Sequence, residues 1–324
     1  MALWRNQDAE VFVATMGATA ERLGVQLMAV EKDYWICEVL RTVVRAHRQE
    51  IIFKGGTSLE KLRIIERFSE DLDLLVVGGY PSKNAAKRAM KHMMDTAAST
   101  TGGQCTDRMS GGNVGTLHSS AYLELPLSYR FGSEGLADPA AILIELGQTG
   151  GPKPAVQATV ESLLSRALDG SVDGEWDDLS PFTVTVLHPG RTLIEKLLRV
   201  NNFVVDPARR GSPHGLPRIG RQFYDIWTLL GEHAVTELLS DKPKVKEILR
   251  SAFEVSEHFV PDHPVPRGGF AASLAFDPVG QFATSLRREH NTAMETLFYG
   301  VNPPTFDQVI DRVQSCAALL DPEA

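Results

Sequence analysis

The stretch IIFKGGTSLEKLRIIERFSEDLDLLVV, which begins at residue 51, constrains the fold of this chain more than any other. Its first apolar residues, 51–53, are typical of a short buried strand, which Gly55 and Gly56 end. A helix is predicted from residue 58 to about residue 66. Residues 71–77 alternate between polar and apolar before becoming uniformly apolar, which predicts a second strand. The sequence therefore predicts a strand, a glycine turn, a helix and another strand in close succession.

The second predicted strand opens with two aspartates, Asp71 and Asp73, whose side chains project from the same face because successive side chains alternate along a strand. Neighbouring carboxylates repel each other unless a cation lies between them, and hard oxygen ligands suit Mg²⁺. The glycines upstream, Gly55 and Gly56, allow backbone N–H groups to approach an anion, and the following helix directs its positive end the same way. These are the parts needed for nucleotidyl transfer.

This combination resembles the DNA polymerase β-like nucleotidyltransferase superfamily, whose signature is a Gly-Ser or Gly-Gly turn followed by Asp-x-Asp. More narrowly, KGGTSL at 54–59 and RFSEDLDL at 67–74 resemble the AbiEii family, the toxins of bacterial toxin–antitoxin and phage-exclusion systems, which include the mycobacterial MenT toxins. The resemblance implies a two-lobed α+β fold. Residues 1–187 would form a polymerase β-like core with a mixed sheet and N-terminal helices, and residues 188–324 a mainly helical C-terminal lobe.

The resemblance also implies the parts of a nucleotide site. Mg²⁺ held by Asp71 and Asp73 would bridge the phosphates of an NTP. Ser69 is predicted to lie at the same site, where an added phosphate would compete with the nucleotide for Mg²⁺. The residues expected to hold the outer phosphates are Lys54, Gly55, Gly56, Thr57 and Ser58.

Two glutamates lie in predicted apolar strands, Glu124 in residues 119–130 and Glu145 in residues 140–146. A glutamate in an apolar strand is costly to bury unless it is paired or bound to a metal. Superfamily members usually supply a third acid that takes the proton from the attacking hydroxyl. The segment ILIELG around Glu145 resembles the corresponding AbiEii strand and favours that residue, with Glu124 as the alternative. A solvent-facing position remains open for both.

The second half of the chain carries two further motifs. Residues 155–168 are predicted to form a helix and 182–187 a strand. A helix then begins at Pro189, with Thr192 available to cap it. Within that helix, the segment TLIEKL resembles the AbiEii element that supplies a lysine, here Lys196, to the nucleotide phosphates.

The motif RQFYDIWTLL at 221–230 resembles the family's Arg-x-x-Tyr-Asp element. Asp225 lies in a strongly apolar helix, where a lone carboxylate needs a partner. Lys196 is the expected partner, and Arg221, four residues earlier, is the alternative. The resemblance implies that Lys196 and Asp225 face the aspartates across a cleft.

Charged segments elsewhere have both structural and functional interpretations. The patch EKDYW at 31–35 is interpreted as a charged helix face beside core aromatics. Residues 206–220 contain three prolines and three glycines, cannot form one continuous helix, and are predicted to be an irregular loop. Contacts with RNA phosphates are predicted for Arg191, Arg199, Arg209, Arg210 and Arg221.

Composition bounds the compartment and the partners. The three cysteines lie far apart, which argues against zinc and disulfides and fits a reduced, cytoplasmic setting. The N-terminal residues are charged where a signal peptide is apolar, and no apolar run approaches the roughly 18 residues of a membrane helix. A net charge of −8 argues against bulk electrostatic binding of nucleic acid and leaves room for a local basic site.

The hypothesis that unites these features is a Mg²⁺-dependent nucleotidyltransferase toxin. The resemblance implies that it transfers NMP from an NTP to the 3′ end of tRNA, which blocks aminoacylation and translation, and that a cognate antitoxin is encoded nearby. A second hypothesis keeps the chemistry and takes a small-molecule hydroxyl as acceptor. A third is a catalytically silent relative that binds only a nucleotide or a partner protein, although the intact Asp-x-Asp argues against it.

Overall fold

The structure is a computed structural model that describes residues 2–7, 9–106, 118–127, 138, 140–148, 151–169, 175–210, 215–257 and 260–324. Its strands are β1 (Ile51–Lys54), β2 (Leu72–Val76), β3 (Cys105–Thr106), β4 (His118–Glu124), β5 (Ala141–Gly147), β6 (Ala155–Val160) and β7 (Phe182–Leu187). The last part of the predicted strand 119–130 and the middle of the predicted loop 206–220 lie outside these residues.

Thirteen α-helices are found in the described residues, and none of them is long and apolar enough to cross a membrane. They are α1 (Ala9–Leu23), α2 (Leu27–His47), α3 (Gly55–Lys61), α4 (Lys83–Thr101), α5 (Leu163–Leu168), α6 (Pro189–Val205), α7 (Pro207–Arg210), α8 (Gly215–Leu229), α9 (His233–Ser240), α10 (Lys242–Ser256), α11 (Ala283–Leu297), α12 (Phe306–Ser315) and α13 (Ala317–Leu320). Single 3₁₀ turns occur at Trp4–Asn6, Phe270–Ala272 and Leu274–Phe276.

The chain divides into two compact units. The sheet unit consists of Met1–Arg63, Phe68–Gln148 and Ala155–Val186, and it contains α1–α5 and the strands. The helical unit consists of Ile64–Arg67, Thr149–Pro154 and Leu187–Ala324, and it contains α6–α13. The sequence did not predict that the short segments Ile64–Arg67 and Thr149–Pro154 belong to the helical unit. The first segment belongs there because Arg67 forms an antiparallel backbone bridge with Phe298 of the same unit.

The strands form one seven-stranded mixed sheet in the order β3-β4-β5-β2-β1-β7-β6. Strand β2 is antiparallel to β1 and parallel to β5, whereas β4 is antiparallel to both β3 and β5. Strand β1 is also parallel to β7. The predicted α+β class with a mixed sheet is thus confirmed, and the two strands of the glycine–aspartate motif lie at the middle of the sheet.

The two faces of the sheet differ in polarity because side chains alternate along each strand. One face is packed into the hydrophobic core against α1, α2 and α4, and its members from the central strands include Phe53, Leu72, Leu74, Ile144 and Leu146. The residues between them in sequence point to the other face. The alternation therefore places the polar side chains of β1, β2 and β5 on the face of the sheet that points away from α1, α2 and α4.

The prediction of a single helix at 155–168 is wrong. Residues 155–160, AVQATV, form the edge strand β6, and only α5 that follows is helical. Two valines and a threonine in six residues favour an extended backbone, and the sheet edge supplies a pairing partner that a local helical pattern does not reveal. Ser162 caps the N-terminus of α5, because its hydroxyl oxygen accepts a hydrogen bond from the backbone N–H of Ser165.

Several predicted helix boundaries also shift. The helix predicted from residue 58 begins at Gly55 and ends at Lys61, soon before Arg63, whose φ of 60° is left-handed. The cap of α6 is His188, whose Nδ1 accepts the Gly190 N–H, and not the predicted Thr192. The loop predicted at 206–220 includes the short helix α7 and the first turn of α8.

The interpretation of EKDYW as a charged helix face beside core aromatics is correct for Tyr34 and Trp35, which lie in the core, and wrong for the charged side chains, which do not form a solvated face. All five side chains of residues 31–35 are buried within the sheet unit. Lys32 forms an ion pair with Glu70, and Asp33 forms one with Lys61 at the end of α3. Burial of ions is tolerated where each finds an opposite charge, and these partners are distant in sequence, so helical periodicity alone did not reveal them.

Candidate active site

A row of polar side chains crosses four neighbouring strands of the sheet. Lys54 of β1 pairs in register with Asp73 of β2, and Asp73 pairs with Glu145 of β5. Glu145 in turn pairs with Ser120 of β4. Residues directly opposite one another on adjacent strands project to the same face, so these four side chains lie side by side on the face opposite the core. The register therefore brings a cation and two carboxylates into one polar row.

His118 lies on the same face of the sheet, beside this row, and was not predicted from the sequence. It precedes Ser120 by two residues on β4, and its Nε2 lies 3.9 Å from Oε1 of Glu145. Burial lowers the pKa of His118, the charge of Lys54 lowers it further, and Asp73 opposes both. The separation of 3.9 Å is longer than a hydrogen bond, so His118 is a neighbour of the Glu145 carboxylate and not its hydrogen-bond partner. Alternation in the segment HSSAYLE is the signal that relates His118 to Ser120.

The helix α3 is attached to the start of β2 by buried hydroxyl groups. The Thr57 hydroxyl donates to the backbone carbonyl of Asp71, and its Oγ1 lies 3.1 Å from Oγ of Ser69. Ser58 donates to the carbonyl of Gly55 at 2.8 Å. These side chains therefore fix α3 against the residues that lead into β2. Contact of Thr57, Ser58 and Ser69 with a nucleotide stays a prediction.

Gly55 is required by the close approach of a carboxylate. Its φ is +80°, and a Cβ added to it would lie 2.0 Å from Oδ2 of Asp73. A side chain at this position would thus both strain the backbone and displace the aspartate. The first glycine of the double glycine leaves the space that the Asp73 carboxylate fills, while Gly56 continues α3.

Replacing Gly55 with alanine is expected to impair the site beyond its effect on stability. Backbone strain at positive φ costs about 1–2 kcal/mol, and the clash with Asp73 adds to it. Gly102 is a matched control because its φ is +68° and a Cβ there meets nothing within 4 Å. Both variants are expected to melt at lower temperature in thermal denaturation, and only Gly55→Ala to lose affinity for Mn²⁺, measured by electron paramagnetic resonance. Equal Mn²⁺ affinities in the two variants would contradict the proposed link to Asp73.

A second cluster of charges lies in the helical unit around Asp225, which is fully buried on α8. Arg67 donates from Nε and Nη2 to the two carboxylate oxygens, at 2.6 Å each. Nζ of Lys196, on α6, lies 2.7 Å from Oδ2 and donates to Gln222 at 3.0 Å. The predicted pair of Lys196 and Asp225 is therefore present. The participation of Arg67 was not predicted.

Burial and charge oppose each other in this cluster. Burial alone would raise the pKa of Asp225, but the charges of Arg67 and Lys196 outweigh it and lower the pKa to about 2. Burial lowers the pKa of Lys196, Asp225 opposes that shift, and Arg67 adds to it. Two cations share one carboxylate, so these three side chains carry a net positive charge that suits a polyphosphate.

The family to which the chain belongs follows from comparison with known proteins. The sequence model of the family described as "Nucleotidyl transferase AbiEii toxin, Type IV TA system" matches residues 38–312. The chain belongs to the AbiEii family. This makes it a nucleotidyltransferase toxin of a type IV toxin–antitoxin system, which uses an NTP and has an antitoxin partner. A search of curated proteins found no match to the sequence.

The donor set of this AbiEii chain fits Mg²⁺. Among the described residues, no group of three or more histidine, cysteine or acidic side chains is arranged to hold a metal ion. Mg²⁺ commonly takes only one or two carboxylates and completes its shell with water and substrate phosphates. Asp71 and Asp73, separated by one residue and both on or next to β2, could supply such a pair of hard oxygen ligands. The absence of a side chain at Gly55 leaves room for the Asp73 carboxylate.

The structure places the two candidate third acids differently. Glu145 is half-buried and in register with Asp73. Glu124 is exposed and pairs with Ala141 at the other end of the β4–β5 ladder. Glu145 is therefore the acid that the sheet brings beside Asp73.

The arginines predicted to contact RNA occupy varied positions in the helical unit. Arg191 is buried and donates to the backbone carbonyl of Lys153. Arg209 and Arg210 also donate to backbone carbonyls of neighbouring segments. These three contribute to local structure, whereas Arg199 is exposed. A role in RNA binding stays a prediction for Arg191, Arg199, Arg209, Arg210 and Arg221.

Proposed function

We propose that this AbiEii toxin is a Mg²⁺-dependent nucleotidyltransferase that transfers NMP from an NTP to the 3′ end of tRNA. The added nucleotide blocks aminoacylation and thereby translation. The observation that carries the proposal is the polar row, in which Lys54, Asp73 and Glu145 are adjacent on three strands beside the glycine turn of α3. The family assignment supports the nucleotidyl chemistry, and the resemblance to MenT-type toxins supports tRNA as the acceptor.

In the proposed mechanism, Asp71 and Asp73 would hold the metal ion. Mg²⁺ when bound supplies Lewis-acid stabilisation of the phosphate charges. Glu145 accepts the proton of the acceptor hydroxyl as that oxygen forms a bond to the α-phosphorus, and the bond to the β-phosphate breaks to release pyrophosphate. The His118 ring, near Glu145, limits the positions that this carboxylate can adopt.

Lys196 is proposed to offset the negative charge of the phosphates. A lysine suits this role because it is a compact point charge. Its ammonium is held by Asp225, which is itself fixed by the two hydrogen bonds from Arg67. Bidentate, charge-assisted bonds of this kind fix orientation strongly. Arg67 and Asp225 are therefore proposed as positioning residues for Lys196.

The acceptor is tested by the chemistry of the 3′ end. We expect the purified protein, given each of the four α-labelled NTPs with Mg²⁺, to label intact tRNA. We expect no label in tRNA whose terminal ribose has been oxidised with periodate, since that treatment destroys the 3′ hydroxyl. Equal labelling of both tRNAs would contradict a 3′-end acceptor. Label found only in small alcohols supplied in the same reaction would instead favour a small-molecule substrate.

A further inference from the structure

One buried ammonium group links the segments that lead into two acid-bearing strands. Lys32 of α2 is completely buried, and its Nζ lies 2.6 Å from Oε2 of Glu70 and 2.5 Å from the backbone carbonyl oxygen of Asp138. Glu70 directly precedes Asp71. Asp138 lies three residues before β5, the strand that carries Glu145. A single side chain thus contacts both segments.

The Asp138 end of this link is itself well fixed. Its Oδ1 accepts the backbone N–H groups of Ala140 and Ala141, at 2.9 and 3.1 Å, where β5 begins. The carbonyl that Lys32 binds therefore belongs to a residue whose side chain is bonded to the backbone at the start of β5. At the other end, Glu70 is buried as well, so the ion pair with Lys32 is shielded from water.

Burial of this lysine requires a reason beyond packing. Transfer of an ammonium group from water to the protein interior costs several kcal/mol, and a hydrophobic residue of similar size often stabilises a core equally well. Arg41 provides a comparison on the same helix. It is also buried and pairs with Glu38, but its guanidinium packs on the ring of Phe182 in β7, away from the acid-bearing strands. Lys32 differs from Arg41 in the segments that it connects.

We propose that Lys32 is a positioning residue for the metal-binding carboxylates, because it fixes the start of β2 relative to the start of β5. The ammonium holds Glu70 and Asp138 at a set separation and thereby sets how Asp71 and Asp73 stand relative to Glu145. The inference rests on the proposed function, in which these acids bind Mg²⁺ and activate the acceptor. It gives the buried ammonium group of Lys32 a function other than packing.

The test compares Mn²⁺ affinity with stability in three variants of the full chain. Lys32→Met removes the ammonium and leaves the Glu70 carboxylate buried without it. The double variant Lys32→Met/Glu70→Gln removes the negative charge of Glu70 as well. Arg41→Met is the control. Mn²⁺ binding is measured by electron paramagnetic resonance, and the melting temperature by thermal denaturation.

We expect Lys32→Met and the double variant to bind Mn²⁺ about tenfold more weakly than the wild type, as is typical when a group supporting metal ligands is lost. The double variant is expected to regain much of the melting temperature lost by Lys32→Met. Arg41→Met is expected to keep wild-type affinity. If Lys32→Met alone does not fold, the Mn²⁺ affinity of the double variant still tests the inference.

Two results would overturn the inference, and they are distinguishable from failure of the proposed function. Wild-type Mn²⁺ affinity in the double variant would show that Lys32 acts only on stability. Equal loss of affinity in Arg41→Met would show that any buried charge of α2 has the same effect. If instead the wild type and Asp73→Asn bound Mn²⁺ identically, the metal site itself would be refuted, and the role of Lys32 with it.

Discussion

Replacing Asp73 with asparagine is expected to reduce nucleotide transfer by about a thousandfold, because the negative charge proposed to hold Mg²⁺ is lost while the shape of the side chain is kept. The carboxylate lies against Gly55, and Asp73 is in register with Glu145, so the substitution removes a charge from the middle of the polar row. The measurement is the single-turnover incorporation of an α-labelled NTP into tRNA.

Glu124→Gln is the matched control for this prediction. Glu124 is an acid in the same sheet, on the strand next to β5, and it pairs with Ala141 and not with a member of the polar row. Its neutralisation is expected to leave the incorporation rate unchanged. An Asp73→Asn protein that melts like the wild type and transfers nucleotides at the wild-type rate would refute the proposed site.

Replacing Asp225 with alanine is expected to lower the free energy of unfolding by about 3–5 kcal/mol, because two buried cations then lose their shared carboxylate. The pKa of Asp225 is held at about 2, below its ordinary value. The stabilisation is therefore fully present at neutral pH and is lost as the pH falls from about 4 through about 2. Chemical denaturation of wild type and variant at pH 7 measures the difference.

Asp307→Ala is the control because it removes the same bonding pattern from an exposed position. Asp307 binds Arg287 through both oxygens at 2.6 Å, as Asp225 binds Arg67, but this pair lies at the surface. Water screens exposed pairs, so its loss is expected to change stability little. Similar losses in both variants would contradict the importance assigned to burial. Partial recovery in Arg67→Met/Asp225→Ala would support it, since one uncompensated cation is removed.

The central motif was predictable because its signals are local. A double glycine between apolar runs predicts a turn, and aspartates two residues apart predict a shared face, so residues 51–77 were assigned largely from their own order. The pair of Lys196 and Asp225 was also predicted, because a carboxylate in an apolar helix needs a cationic partner and the TLIEKL segment contains Lys196. These inferences needed only local sequence order and side-chain chemistry, and no knowledge of which residues are in contact in the fold.

Contacts between residues that are distant in sequence were not predictable in this way. Arg67 and Asp225 are separated by 158 residues, and Lys32 and Glu70 by 38, so no local pattern relates them. His118 becomes significant only through the β4–β5 register, which the sequence does not define. Strand β6 was assigned as helix because a short apolar run is ambiguous until the sheet edge offers it a partner.

The most direct measurement follows the fate of each phosphate. The purified wild-type protein is incubated with tRNA, Mg²⁺ and the preferred NTP, labelled in parallel reactions at the α- or the γ-phosphate. The account predicts that α-label enters the tRNA, that γ-label is released as pyrophosphate, and that EDTA abolishes both. Transfer of γ-label to the tRNA, or α-label incorporation that is unaffected by EDTA, would contradict metal-dependent nucleotidyl transfer.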